Sequence, residues 1–301
     1  MKKLIKNQIS IKSNIIINII FAAFAIICIL PIILTLSISL SKESLIAING
    51  FSIFPQGFNF EAYRFIFSDS SAVIHAYIVT ISVTIIGTFL TVLITGLFAY
   101  PLSRSNFKYR KGFTIFIFIT MMFNGGLVPW YIVNSQLLHI TNSYLSLILP
   151  ALFNVWYIII MRTFYSTTIH PSLIEAAKID GAGEFHIFFK IVSPLSKPAY
   201  ATIALFSTLF YWNDWWHSMV LNTDSKYDTL QYFIYKVLTE ANILRNMQSQ
   251  IGGYAQEMLK NMPAETAKFA MAAVAMGPIL IVYPFFQKYF IKGLTIGSVK
   301  G

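Results

Sequence analysis

Charged residues are scarce in this chain of 301 residues: 11% are Asp, Glu, Lys or Arg, whereas 56% are hydrophobic. A soluble domain carries about 25% charged residues, because its surface must stay wet. The scarcity of charge therefore excludes a soluble fold and predicts that most apolar side chains face lipid. The net charge of +10 could indicate a nucleic-acid partner. We expect none, because the basic residues lie at the ends of apolar stretches, as beside lipid headgroups.

The chain has a single cysteine, Cys28, and no C-x-x-C pair. An intrachain disulfide is therefore impossible, and a cysteine-based metal site is not expected. It also lacks the G-x-x-x-x-G-K-[ST] sequence that holds nucleotide phosphates. We therefore expect no catalytic residue, no metal and no cofactor in this chain, and no ATP site of its own.

Six stretches are long and apolar enough to cross the ~30 Å hydrocarbon core as helices, which takes about 20 residues each. These predicted spans are residues 14–40, 73–100, 112–133, 143–165, 199–221 and 267–290. The third is the weakest, since residues 124–126 and Pro129 interrupt it, and we expect its regular helix to end near Phe123. The sequence thus predicts an all-α membrane protein with six transmembrane helices in one domain, 1–301.

Lysine and arginine alternate between the two ends of the predicted spans. They are frequent in the N-terminal tail, after the second span, in the loop 166–198 and in the C-terminal tail, whereas the loop after the third span has none. Basic loops stay in the cytoplasm. Both termini are therefore predicted to be cytoplasmic, with the loop 222–265 outside. The first apolar run exceeds the ~7–15 residues of a signal-peptide core, so we expect it to be retained.

Small residues recur every four positions in the second predicted span, at Gly87, Thr91 and Thr95. Such a stripe lets two helix backbones approach each other closely in a membrane. It predicts close helix packing there but indicates no function.

The cytoplasmic loop 166–198 contains two short helical patterns. Ser172 and Glu175 form an S-x-x-E capping box that predicts the start of a helix, and Gly181 predicts a left-handed stop after it. A second helix is expected over residues 183–191, with Pro194 ending it. Short helices are not stable alone in water, so the apolar side chains of this loop must dock on the inner face of the bundle or on another protein. These side chains are Leu173, Ile174, Ala177, Phe185, Phe188 and Phe189.

Three pieces of this loop form a known pattern, namely Glu175-Ala176-Ala177, Asp180-Gly181-Ala182 and the pair Ile191 and Pro194. Together they resemble the EAA signature of bacterial ABC import permeases. In that family the loop is a coupling helix, which sits in a groove on a separate ATPase subunit and transmits the closing of the ATPase dimer to the membrane bundle. The resemblance implies a coupling role for Glu175, Ala176, Ala177, Asp180, Gly181, Ile191 and Pro194. The alternative is that Glu175 is only a capping residue and Gly181 only a helix stop.

A second resemblance covers nearly the whole chain. The segment from Phe210 to Trp215 and the C-terminal segment from Lys292 to Gly301 look like the carbohydrate branch, the MalG-type and LplC-like permeases. It implies a subunit that translocates a sugar, as an oligosaccharide or a derivative, across the bacterial inner membrane. The implied partners are an ATPase dimer that binds ATP and Mg²⁺, a second homologous permease and an extracytoplasmic substrate-binding protein. It further implies that Gly297, Val299, Lys300 and Gly301 contact the ATPase, although a disordered basic tail is the alternative.

The aromatic and polar cluster of Trp212, Asn213 and Asp214 is a candidate for the substrate path, because sugars stack on aromatic rings and bond amides and carboxylates. The alternative is an aromatic belt at the membrane interface, with Asn213 bonding a neighbouring helix. In MalG-type systems the partner permease can carry the membrane sugar site.

Rival functions make other demands on the sequence. A permease for another solute class would share the coupling loop. A stand-alone secondary carrier needs ionisable or broken-helix sites near the midplane, yet Asp214 is the one acid within a predicted span. A membrane enzyme would need clustered acids or a metal. Glu175, Asp180 and Glu184 do cluster on the inner side. This cluster is better explained by the helix caps, by the interspersed Lys178 and Lys190, and by the EAA pattern than by an enzyme site.

Overall fold

A computed structural model describes residues 11–67, 70–247 and 264–298. These parts of the chain are helical and contain no β-strand. The all-helical fold with several strongly apolar helices agrees with the prediction of an all-α membrane protein. The described residues form two compact units, which fall within Met1–Ser70 with Leu238–Met276 and within Ser71–Val237 with Gly277–Gly301.

The helices follow one another with short connections. In chain order they are α1 (Ile11–Ser39), α2 (Glu43–Asn49), α3 (Glu61–Ile66), α4 (Ser70–Ser103), α5 (Arg110–Met122), α6 (Leu127–Ile132), α7 (Tyr144–Leu152), α8 (Val155–Thr168), α9 (Pro171–Ile179), α10 (Glu184–Ile187), α11 (Ser193–Leu195), α12 (Lys197–Trp212), α13 (Trp216–Leu221), α14 (Leu230–Met247) and α15 (Ala264–Ser298). Two π-helical turns lie at Val133–Leu137 and Phe188–Val192, and a 3₁₀ turn lies at Ser225–Tyr227.

Three described segments are single helices long and apolar enough to cross a membrane: Lys12–Ser39, Ser71–Ser103 and Glu265–Val282. Two bent pairs could add one span each, α5 with Leu127–Leu137 at an angle of 114° and α7 with α8 at 49°. In the fifth predicted span, α12 has only 16 residues, fewer than the roughly 20 that a crossing needs. The six-span count and the cytoplasmic termini therefore stay predictions.

At the breaks in the third and fourth predicted spans, asparagine side chains accept hydrogen bonds from backbone N–H groups. The helix α5 ends at Met122, next to the expected end at Phe123, and the Asn124 side-chain oxygen then accepts the Gly126 N–H at 2.8 Å. Between α7 and α8, the side-chain oxygen of Asn154 accepts the N–H groups of Trp156 at 2.9 Å and Tyr157 at 3.4 Å. This second break differs from the single span predicted over residues 143–165.

The small-residue stripe of α4 packs, at Gly87 and Thr91, against the side chain of one tyrosine of α12. An added Cβ at Gly87 would lie 2.6–2.9 Å from the Tyr211 ring. One turn further, the Thr91 hydroxyl lies 3.2 Å from the Tyr211 hydroxyl, which also donates to the Ile148 carbonyl at 3.2 Å. Tyr211 is consequently buried, and its ring packs directly against α4 at Gly87.

In the other unit, a carboxylate holds the N-terminus of the last helix. Glu43 accepts the backbone N–H groups of Glu265 at 2.9 Å and Thr266 at 2.8 Å, and the Thr266 hydroxyl at 2.8 Å. A helix N-terminus exposes unpaired N–H groups and carries partial positive charge, so an anion there is stabilising. This contact ties α2 to α15 across more than two hundred residues of sequence.

The packing of α4 predicts different outcomes for one substitution at two helical glycines. Gly87→Ala pushes a methyl group into the Tyr211 ring and should destabilise the folded chain by about 1–3 kcal/mol, the usual cost of overpacking. Gly112→Ala in α5 meets nothing within 4 Å and should be neutral or stabilising by up to about 1 kcal/mol, since alanine favours helix. Thermal unfolding of both variants in detergent measures the difference. Equal melting temperatures would contradict the close approach.

Candidate functional site

The loop between α8 and α12 begins with a cap that differs from the predicted one. His170, rather than Ser172, is the N-cap of α9: its Nδ1 accepts the Ser172 N–H at 3.3 Å and lies 2.8 Å from the Ser172 hydroxyl. Pro171 occupies the first helical position, which suits a residue without an N–H. The predicted capping box of Ser172 and Glu175 is therefore wrong, and Glu175 is exposed on the helix surface.

The end of α9 confirms the predicted left-handed stop. Gly181 has φ +80°, its N–H donates to the Lys178 carbonyl at 3.0 Å, and the Ala182 N–H donates to the Ala177 carbonyl at 2.9 Å. These two bonds form a Schellman motif with Asp180 as the C-cap. A Cβ at Gly181 would meet no atom within 4 Å, so glycine is required there for its backbone conformation and not for space.

The second helical segment of the loop continues past its predicted end. Gly183 is the N-cap of α10, and the chain then passes through the π turn Phe188–Val192 into α11. Pro194 lies in the first turn of α11, where a missing N–H is tolerated, so the expectation that Pro194 ends the helix is wrong. Ile191 is half-buried against the core of the bundle.

The loop has one buried face and one exposed face. Ile174, Ala177 and Phe188 pack into the core that α4, α8 and α12 form. Ile179 and Phe185, on either side of the Gly181 turn, are 86% and 77% exposed. The sequence allowed the loop to dock on the bundle or on another protein. The structure is compatible with both, because one face of the loop lies on the bundle and the other face is exposed.

A carboxylate joins the two helical segments of the loop to the long helix α4. Glu184 accepts a bond from the Lys178 ammonium at 2.6 Å and from the Tyr100 hydroxyl at 2.6 Å. These two hydrogen bonds, that of Lys178 first, lower the pKa of Glu184 below its ordinary value. Sequence reasoning missed Tyr100, because it stands 84 residues before its partner and nothing local marks it.

The predicted substrate-path cluster lies at the break between α12 and α13. Trp212 is buried near the Tyr77 ring, and the Asn213 amide donates to the Leu209 carbonyl of its own helix at 2.8 Å. In the described part of the chain, this bond stays within α12 and does not reach a neighbouring helix, contrary to the alternative interpretation of Asn213. Asp214 lies in the break instead of within a helical span, and its carboxylate contacts His217 Nδ1 at 2.7 Å and the His217 N–H at 3.3 Å.

The remaining candidates lie at the C-terminus. Gly297 is in the last turn of α15, whereas Val299, Lys300 and Gly301 lie outside the described residues. Among the residues that the structure describes, no three His, Cys, Asp or Glu side chains are grouped as a metal site.

Comparison with known proteins places these features in a family. The family model of binding-protein-dependent transport system inner membrane components matches residues 92–296. The polygalacturonan/rhamnogalacturonan transport system permease protein YtcP of Bacillus subtilis (strain 168) is 37% identical over 278 residues, which is 92% of this chain and 94% of that protein. Protein LplC of the same strain is 37% identical over 275 residues, 91% of this chain and 90% of that protein.

A solved structure has the same fold. It is a bacterial ABC transporter involved in the import of the acidic polysaccharide alginate, and one of its chains superposes with a TM-score of 0.79 at 29% identity, covering 95% of this chain and 100% of that one. The family match spans more than half of the chain, and it includes the loop with the Gly181 turn. The chain therefore belongs to the binding-protein-dependent transport system inner membrane components, as a membrane permease of the ABC sugar transport type.

Proposed function

We propose that this chain is the translocating subunit of an importer that moves an oligosaccharide or sugar derivative into a bacterial cell. ATP hydrolysis on a separate ATPase dimer, which holds ATP and Mg²⁺, drives the movement. The observation that carries the proposal is the open apolar face beside the Gly181 turn. Ile179 and Phe185 are exposed there although the opposite face of the same loop is buried on the bundle. Apolar side chains grouped on an exposed surface favour a protein partner.

The coupling residues act as one rigid unit in this proposal. Closing of the ATPase dimer moves α9, with Glu175, Ala176, Ala177, Asp180 and Gly181 at the contact. Ile191 and Pro194 continue the same helical segment toward α12. The motion reaches the bundle through the buried face of the loop and through the bond of Glu184 to Tyr100. Gly297, Val299, Lys300 and Gly301 add a second contact with the ATPase.

The other proposed partners are a second homologous permease and an extracytoplasmic substrate-binding protein, with lipid around six spans and both termini in the cytoplasm. The family description, a component of a binding-protein-dependent system, supports them. The names of the relatives support an oligosaccharide as substrate, since they include permeases for polygalacturonan or rhamnogalacturonan and for arabinooligosaccharides.

Affinity purification tests the proposal directly. The tagged chain, extracted gently from its native membrane, should retain a P-loop ATPase and a second permease. The double substitution Ile179→Ser and Phe185→Ser should release the ATPase, because two apolar contacts are lost, each worth about 1.5–3 kcal/mol when fully buried. The matched control is Phe54→Ser, which removes an apolar side chain that is 80% exposed in the other unit. Mass spectrometry of the retained proteins gives the result. Retention of the ATPase by the double variant would contradict a coupling role for this face.

The Gly181 turn generates a second prediction for coupling. Gly181→Val forces a β-branched residue into φ +80°, at a cost of roughly 1–2 kcal/mol or more, and should uncouple transport while the chain still inserts. Gly183→Val is the control, because Gly183 has φ −73° and ψ 162° and open space around it, a conformation that valine adopts readily. The measurement is sugar uptake per ATP hydrolysed in proteoliposomes. If the two variants behave alike, the conformation of residue 181 does not govern coupling.

The bonds of Glu184 generate a third prediction. The folded state holds the pKa of Glu184 below its unfolded value. The ionised carboxylate therefore stabilises the folded loop at every pH above the unfolded pKa. This stabilisation is lost as the pH falls through the lowered, folded-state pKa. Tyr100→Phe removes one hydrogen bond and should raise the pKa of Glu184 toward its ordinary value. Carboxyl carbon NMR of the labelled protein measures the shift. Tyr109→Phe, an exposed phenol, should leave the Glu184 titration as it is, and the same result for Tyr100→Phe would refute the contact.

A further inference from the structure

A cavity of about 230 Å³ lies between the broken helices of the larger unit. Its walls come from α4, from the α7–α8 break, and from α8, α12 and α13. Six of its lining side chains carry polar groups: Thr91, Asn154, Tyr157, Ser207, Tyr211 and His217. Such cavities in soluble proteins hold drug-sized ligands when they measure ~300–1,000 Å³. This cavity has room for one sugar ring, and not for a whole oligosaccharide.

Both breaks contribute to the same cavity. Asn154 stands at the break between α7 and α8, and His217 is the second residue of α13, directly after the break between α12 and α13. Interrupted helices are tolerated at membrane depth where they line a cavity or are buried in protein, and discontinuous helices form the substrate sites of many transporters. Two independent breaks that meet at one cavity indicate a site for a polar solute.

The polar groups of the cavity retain hydrogen-bonding capacity. His217 uses Nδ1 for the Asp214 carboxylate, which leaves Nε2 as its other polar atom. Asn154 uses its side-chain oxygen to cap α8, which leaves the amide N–H₂. The Ser207 hydroxyl is buried without a hydrogen bond of normal geometry in the described part of the chain, although the Tyr157 phenol lies close enough to interact with it. Sugar hydroxyls both donate and accept, so they match this mixture.

Aromatic rings complete the walls. Phe210 lies edge-on to the Tyr211 ring, with centroids 5.7 Å apart, and to the His217 ring at 6.1 Å. These contacts fix the direction of the Phe210 and His217 rings beside the polar groups. An apolar ring next to fixed donors and acceptors suits the C–H face and the hydroxyl edge of a pyranose.

We propose that this cavity binds one sugar residue of the oligosaccharide during its passage, with His217, Asn154 and Ser207 as the hydrogen-bonding groups. The proposal rests on the proposed transport function and deepens it. Asp214 is then a positioning residue, since its carboxylate holds the His217 ring. This assignment replaces a direct contact of Trp212, Asn213 and Asp214 with the sugar.

The test uses the whole transporter complex with its ATPase and binding protein in proteoliposomes. The probes are two oligosaccharides that the wild-type complex imports, chosen from trigalacturonate, arabinotriose and raffinose. The maximal uptake rate per complex is measured for each. Because the binding protein collects the sugar outside, substitutions in the cavity should change the maximal rate and leave the half-saturating concentration unchanged.

Three variants separate sugar contact from folding. Ser207→Ala removes a buried hydroxyl of the cavity, and Thr84→Val removes a buried α4 hydroxyl that also lacks a normal hydrogen bond but lies outside the cavity lining. His217→Asn keeps an amide near Asp214 and loses the atom at Nε2. Ser207→Ala and His217→Asn should each lower the maximal rate about fivefold to tenfold, the effect of one lost hydrogen bond. Thr84→Val, the matched control, should stay within about twofold of wild type.

The ratio of the maximal uptake rates for the two sugars tests whether the cavity contacts the sugar. A residue that touches the sugar should change the ratio of the maximal rates, because the two probes present different groups to it. Equal loss for both sugars, or no loss at normal complex levels, would overturn the cavity site while leaving the transport function intact. If the wild-type complex assembles with its ATPase but imports no oligosaccharide, the proposed function itself fails, and the sugar site with it.

Discussion

Inside a lipid bilayer no water can bond a free peptide group, so every interruption of a helix must be bonded from within the chain. The structure shows such side-chain bonds at three breaks between helices. Asn124 accepts an N–H after α5, Asn154 caps α8, and Asp214 accepts the N–H of His217 at the start of α13. Two of these residues, Asn154 and Asp214, are at least half-buried, whereas Asn124 is exposed. The location of the cavity follows from where two of these repairs meet.

The loop between α8 and α12 solves a different problem. Its helices are too short to persist alone in water, so one face is anchored on the bundle by Ile174 and Phe188. The turn at Gly181 and the bond of Glu184 to Lys178 hold the two segments at a set angle. The exposed side chains are thus presented on a turn that is bonded and packed from below. The proposed coupling role would need this support as much as it needs apolar area.

The sequence predicted those features whose causes are local. The Gly181 stop follows from one residue type and its neighbours, and the stripe of Gly87 and Thr91 follows from helical spacing. The His170 cap was missed because Pro171 moves the start of the helix, and the continuation through Pro194 depends on a π turn. The partnership of Tyr100 with Glu184 depends on a contact distant in sequence, which one unaligned chain does not reveal. The α7–α8 break has a local cap, Asn154, but nothing in the apolar run 143–165 marks that asparagine as a break. The family was recognisable because its pattern lies in a single short loop.

The bond between Tyr100 and Glu184 bears on how such permeases diversify. The loop looks like a self-contained cassette of about thirty residues that recombination could exchange between subunits. One of its anchoring partners is nevertheless encoded far upstream, in α4. If such a loop were grafted into a permease with phenylalanine at the position of Tyr100, its glutamate would lack the hydrogen bond that Tyr100 donates here. The loop and the α4 tyrosine should therefore be inherited together. A chimaeric permease should function best when it receives both the loop and the tyrosine from the same parent.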